Sequence, residues 1–306
     1  RVLFRSPFSV SSVTVTGVAE GFTVTAGDTC AAAGIGKATG GKIGRADKAY
    51  GEASAAPATS VINISNIKSV TAKNNAGGFA GAVGPGELAS TGGLDLLGLG
   101  LLKANGLLGV GAGLEVKVDG CTVTGVPTGM SIAATGTNAE GEQRDYTAAG
   151  FIASANSAEV TDGHVANLAS VLADTPHGVA GGFVGTSRTG GLAEVSDADA
   201  IEGILKDDKG LIVIDNLLNA VGYLVPNYSN VDVSFINGGT VKADIAGGFA
   251  GDFQSGELQN SADKKWTVNN IAKVEGGAYA GGFGGKVTSG ALAAADGGVS
   301  ILGGLS

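Results

Sequence analysis

Two histidines and two cysteines, set among 28 acidic and 19 basic residues, are the first side chains of this 306-residue sequence to weigh for chemistry. A metal pair on one strand or helix needs close donors and a third ligand beside them. His164 and His177 are far apart in sequence with no such ligand evident, so both are expected in surface loops, and no metal or cofactor is expected. Cys30 and Cys121 form no Cys-x-x-Cys motif and no Cys/His cluster. Small apolar residues surround each, which reads as two buried free thiols; a disulfide between distant segments stays open.

Other fragments of known motifs are incomplete. Asp197-Ala198-Asp199-Ala200-Ile201-Glu202-Gly203 begins like a calcium loop, but Ile201 stands at the third ligand position. Those acids suit a helix N-terminus, and Asp207-Asp208 suits a solvated turn. Gly34-Ile35-Gly36-Lys37-Ala38 lacks the upstream glycine and the hydroxyl of a phosphate loop. Gly185-Thr186-Ser187-Arg188-Thr189-Gly190 is not a nucleophile elbow. Lys242, Asp244, Asp252 and Glu257 could lie near one another, as a polysaccharide lyase or hydrolase would require. Equivalent positions elsewhere are apolar or small, so a non-enzyme is the expectation and a β-helix lyase or hydrolase the alternative.

The elements that would hold these residues follow from composition. Glycine supplies 55 residues and proline only 6, with 43% hydrophobic and 15% charged residues. Mean hydropathy is +0.26. Such a chain has enough apolar surface to fold and too little charge to stay disordered. Abundant Val, Thr and Gly favour short strands joined by tight turns. The net charge of −9 and the lack of a basic stripe speak against nucleic acid as a partner.

A hexapeptide recurs: Ala76-Gly77-Gly78-Phe79-Ala80-Gly81, Ala180-Gly181-Gly182-Phe183-Val184-Gly185, Ala246-Gly247-Gly248-Phe249-Ala250-Gly251 and Ala280-Gly281-Gly282-Phe283-Gly284-Gly285. Ala148-Ala149-Gly150-Phe151-Ile152-Ala153 is a degenerate copy and Ala32-Ala33-Gly34-Ile35-Gly36 a weaker one. Gly-x-Leu follows several copies, as at Gly256-Glu257-Leu258. The apolar marker falls at 35, 79, 151, 183, 249 and 283, in gaps of 44, 72, 32, 66 and 34. The long gaps hold apolar segments expected to be helical excursions, at about 94–113 and 197–225, and a third starts at 299–306. Asp95, Lys103 and Asn105 interrupt the first, so no membrane span is expected.

Alternating segments precede the markers: 61–67, 116–123, 231–236 and 266–271. Their period of two places one face inside and one in water. A unit of about 33 residues cannot bury its apolar face alone, whereas stacked units can. The expected fold is all-β: a parallel β-helix, or β-solenoid, over 7–306, with Phe79, Phe151, Phe183, Phe249 and Phe283 stacked as an internal ladder.

The Ala-Gly-Gly-Phe-x-Gly unit with its Gly-x-Leu and following Val-rich strand resembles the GLUG-type repeats of bacterial surface proteins. The resemblance covers most of the chain from about residue 30. In that family the unit usually reads Gly-Gly-Leu/Phe-Val-Gly followed by Asn-Cys; here only Gly120-Cys121 matches the last element, and the excursions depart from the pattern. The resemblance implies a parallel β-helix stalk in a secreted, cell-surface-attached protein, without catalytic residues.

A stalk or adhesin role is therefore expected, with a surface glycan or protein as the partner of an adhesin and neighbouring repeats as the partner of a stalk. Tyr223, Tyr228 and Trp266 are the candidate contacts: a binding module displays them and a spacer buries them. Arg1 to Ser6 read as a translated sequencing-library adapter, and Ser306 falls inside a repeat, so signal and anchor are expected outside this fragment.

Overall fold

The computed structural model describes residues 8–45, 62–85, 116–136, 146–189, 225–259 and 266–288. They form strands and turns, with no helix among the described residues. The strands lie in one 16-stranded and one six-stranded sheet, and every pairing is parallel. An all-β fold with parallel sheets is thus established, an arrangement consistent with a β-helix. The expected excursions lie outside the described residues apart from Val225, as do Arg1 to Ser6.

The described residues make six successive passes over the same path. The first comprises Ser9–Val10, Val13–Thr16, Phe22–Ala26, Cys30–Ala32 and Ile35–Thr39. The second comprises Gly41–Gly44, Ile62–Ala72, Asn75–Gly77 and Ala80–Gly84. The third comprises Val116–Gly125, Met130–Ala134, Tyr146–Ala149 and Ile152–Asn156. Ala158–Ala173, Gly178–Gly181 and Val184–Arg188 make the fourth, and Asn227–Ser229, Asp232–Gly247 and Ala250–Phe253 the fifth. Glu257–Gln259, Thr267–Gly281 and Gly284–Val287 make the sixth.

Register turns these passes into columns. One inward column runs Val15, Ile64, Val123, Val165, Val233, Val268. A second runs Val24, Val70, Ile132, Val171, Val241, Val274. A third is alanine throughout: Ala31, Ala76, Ala148, Ala180, Ala246, Ala280. β-branched side chains pack well on a pleated surface, and parallel strands have no other way to satisfy their backbone than the pass above and below. The interior members of these columns are buried.

The phenylalanine ladder forms as the repeat predicts. Centroids of Phe79, Phe151, Phe183, Phe249 and Phe283 follow one another at 4.9, 4.7, 5.2 and 5.6 Å, with rings within 14° of parallel. These distances track the spacing of hydrogen-bonded strands, about 4.8 Å. The weak first copy needs a correction: Ile35 pairs with Ala80, so Gly34, not Ile35, occupies the place next to Phe79. The stack also starts earlier than the repeat suggests, because Val13–Thr16 and Phe22–Ala26 already pair with Ile62–Ala72.

Glycine is needed where passes approach closely. A Cβ on Gly78, Gly150, Gly182 or Gly248 would overlap the carbonyl oxygen of the matching glycine in the next pass. Corners use left-handed residues. Gly120, Asp162 and Asn230, with φ of 71°, 50° and 53°, turn the third to fifth passes at one corner; Asn66, Asn167 and Asn270, at 57–59°, turn the second, fourth and sixth at the next. Asn is among the few side chains that tolerate this region.

Candidate functional site

Tyr228 belongs to the inward column Ile43, Val118, Val160, Tyr228, Leu258. It is fully buried, packed edge-on against Phe183 and Phe249, and its hydroxyl donates to Ser187 Oγ at 2.9 Å. Ser187 in turn donates to the carbonyl oxygen of Ser255 at 2.7 Å. Burial pushes the Tyr228 phenol well above its ordinary pKa, against the opposing effect of the Ser187 bond. The expectation of a partner contact at Tyr228 is therefore corrected: the ring fills a column that elsewhere carries Val, Ile or Leu, and offers no surface.

Trp266 is partly exposed and lies 5.0 Å from Phe283 and 5.9 Å from Phe249, ring centroid to centroid. It covers the upper flank of the ladder. Tyr223 lies outside the described residues.

His164 is a strand residue and not a loop residue. It faces Asp232 of the next pass in direct register, and its Nδ1 meets the Asp232 carboxylate. His177 sits in an exposed turn, with φ of 63°. No group of three or more His, Cys, Asp or Glu among the described residues is arranged to hold a metal ion.

Both cysteines are free. Cys121 is buried, and burial followed by the nearby Asp119 charge pushes its thiol up out of reach of ionisation. Cys30 is half-buried on the first pass, which corrects the expectation that both are buried: an end pass is covered on one side only.

A polar cluster that the sequence did not reveal closes the Gly120 corner. Arg45 Nη2 donates to Asp119 Oδ1 at 2.8 Å and to Asp162, which also receives Asn230 Nδ2. Burial holds the Asp119 carboxyl above its ordinary range, against the lowering effect of Arg45. One guanidinium thus bridges carboxylates of successive passes. No local signal in the sequence points to this cluster, since Arg45 lies 74 and 117 residues from its two carboxylate partners.

The charged residues named together from sequence divide. Lys242 and Asp244 line a groove of about 420 Å³ with Asp174, Thr175, Glu275 and Gly277. Lys242 Nζ donates to Asp174 Oδ2 at 2.5 Å, and that bond raises the lysine pKa. Asp252 stands instead in the column Ser154, Thr186, Asp252, Lys286, and Glu257 pairs with Asn227.

Outward columns differ from inward ones in kind. Flanking the valine column, the outward residues read Thr14, Asn63, Thr122, His164, Asp232, Thr267. This column changes its chemistry from pass to pass, whereas another outward column, Thr23, Ser69, Ser131, Ser170 and Thr240, keeps a hydroxyl until Lys273.

No protein-family model, curated protein or solved structure matches this chain. No helix among the described residues is long and apolar enough to cross a membrane.

Proposed function

We propose that this chain is a parallel β-solenoid segment of a large secreted bacterial cell-surface repeat protein, serving as a structural stalk. The observation that carries this reading is the contrast between columns. The repeat is spent on inward positions, Val on Val and Phe on Phe, while the outward residues beside the valine column change from pass to pass. A stalk needs only passes that stack, and each adds about 4.8 Å of length. Tyr228 in the core and Trp266 against the ladder support a spacer over an adhesin. The likeness to GLUG-type repeats supports the secreted, surface-attached setting.

The alternative, a β-helix lyase or hydrolase, draws on the groove that brings Lys242 together with Asp174, Asp244 and Glu275. Reading it as structural is favoured because Lys242 is already paired with Asp174.

Glycan-array and whole-cell binding by the folded chain separates these roles. A stalk gives no saturable binding and releases no product from acidic or neutral polysaccharides. Saturable binding lost in Trp266→Ala would replace the stalk with an adhesin. Polysaccharide cleavage lost in Lys242→Ala would replace it with an enzyme.

A further inference from the structure

The corner that Asn66, Asn167 and Asn270 turn in other passes is built differently in the fifth. Leu168 pairs with Phe235 and Ser170 with Thr240, so residues 236–239 stand opposite Ala169 alone, as a bulge. Neither neighbouring pass pairs with residues 236–238, which leaves the Gly238 amide outside the ladder. Asn237 and Gly238 are exposed. Gly238 has φ of 93°, and a Cβ placed on it would meet nothing within 4 Å. Asn66 and Asn167 donate their Nδ2 to the carbonyl oxygens of Gly17 and Gly125, whereas the Asn237 side chain has no hydrogen-bond partner among the described residues. The residues that follow those corner asparagines, Ile67, Leu168 and Ile271, are paired in register with a neighbouring pass.

Three Asn-Gly or Asp-Gly pairs lie among the described residues: Asp119-Gly120, Asp162-Gly163 and Asn237-Gly238. A glycine in second place lets its amide nitrogen swing onto the preceding side-chain carbonyl, because no Cβ obstructs the turn. In the two Asp-Gly pairs the carboxylate is held, by Arg45 in both and by Asn230 as well at Asp162, and the glycine is buried. We propose that Asn237 is a self-modifying site, at which the Gly238 amide nitrogen displaces ammonia from the side chain. The attack forms a bond from Gly238 N to Asn237 Cγ and breaks the Cγ–Nδ2 bond; Nδ2 leaves as ammonia, taking up the amide proton. Solvent water then opens the cyclic imide at either carbonyl, giving aspartate or isoaspartate, with nothing oxidised or reduced. The corner acquires a negative charge on the outside of a chain whose net charge is already −9. The extra main-chain atom of isoaspartate falls in a bulge that no ladder pairing crosses.

The test is to hold the folded chain at mildly alkaline pH until a free peptide spanning residues 234–241 has converted, and then to map it by mass spectrometry. Fragment spectra should place the mass difference between an amide and an acid at Asn237, and enzymatic methylation should detect isoaspartate beside aspartate there. Asn66, Asn167 and Asn270 should keep their amides. Asp119 and Asp162 should yield isoaspartate only after the chain is unfolded in urea. Asn105-Gly106 lies outside the described residues and falls in a separate peptide, so it is scored apart. Asn237→Gln should lose the conversion, because its longer side chain cannot close the same ring. Gly238→Ala should slow it, and carries the test should Asn237→Gln fail to fold. An Asn237 that keeps its amide in the folded chain overturns the proposal. So does aspartate formed without isoaspartate, which would mean direct hydrolysis by water. Equal conversion at Asn66 and Asn167 would overturn the part assigned to the bulge.

Discussion

A ring in the middle of the ladder is held on both faces, and a ring at its foot on one. Phe183 lies between Phe151 and Phe249, whereas Phe79 has Phe151 on one side and Gly34 on the other. Phe183→Ala should cost about 3–5 kcal/mol, the usual range for emptying a buried aromatic site, and Phe79→Ala should cost less. Urea titration of both variants checks the order. The two thiols differ for a related reason. Cys121 is enclosed between passes and Cys30 sits on an end pass. A thiol reagent should modify Cys30 alone in the native chain and both after unfolding, counted by mass spectrometry. Early labelling of Cys121 would mean that the third pass opens locally.

At the scale of the element, corners decide where a strand bends. Asn167 holds φ at 57°, and its Nδ2 donates to the Gly125 carbonyl oxygen of the preceding pass at 3.2 Å. Asn66 makes the same bond to Gly17. Asn167→Ala loses this bond and places a Cβ in left-handed backbone, so it should cost about 1–2 kcal/mol. Asn167→Gly keeps the backbone at ease and should cost less. Thermal melts of the two variants give the comparison, and equal losses would show that the hydrogen bond alone matters. These corners also explain an element that pattern reading missed. Ala158–Ala173 is one long strand with corners at Asp162 and Asn167, and together they break the period of two. Val116–Gly125, Asp232–Gly247 and Thr267–Gly281 were recognisable from the alternation of their opening residues.

For the whole molecule, stability should behave as a sum over passes and their interfaces. Asn156 and Arg188 are partners in register at the ends of the third and fourth passes. Excising 157–188 therefore removes one complete turn and rejoins equivalent points, leaving every column in step. The shortened chain should keep a cooperative thermal transition in circular dichroism. Excising 157–173 removes only part of a turn, throws the later strands out of register, and should abolish cooperative unfolding. Equal behaviour of the two deletions would sink the columnar description.

Sequence alone determined the all-β class, the aromatic ladder and most long strands. Each of these rests on local alternation or on repetition at fixed spacing, and both survive in a string of letters. Repetition also pointed to stacking, because units this small cannot bury an apolar face by themselves. What only the tertiary structure decided are matters of register and direction between passes. It set Gly34 and not the repeat marker Ile35 beside Phe79, a shift of one residue. It turned Tyr228 inward, where its hydroxyl found Ser187. It joined Arg45 to Asp119 and Asp162, residues far apart in sequence and adjacent in space. It separated Asp252 and Glu257 from Lys242 and Asp244. A polar side chain's partner in such a stack is set by which pass lies above it, and the long intervals between passes leave no mark of that in the local sequence.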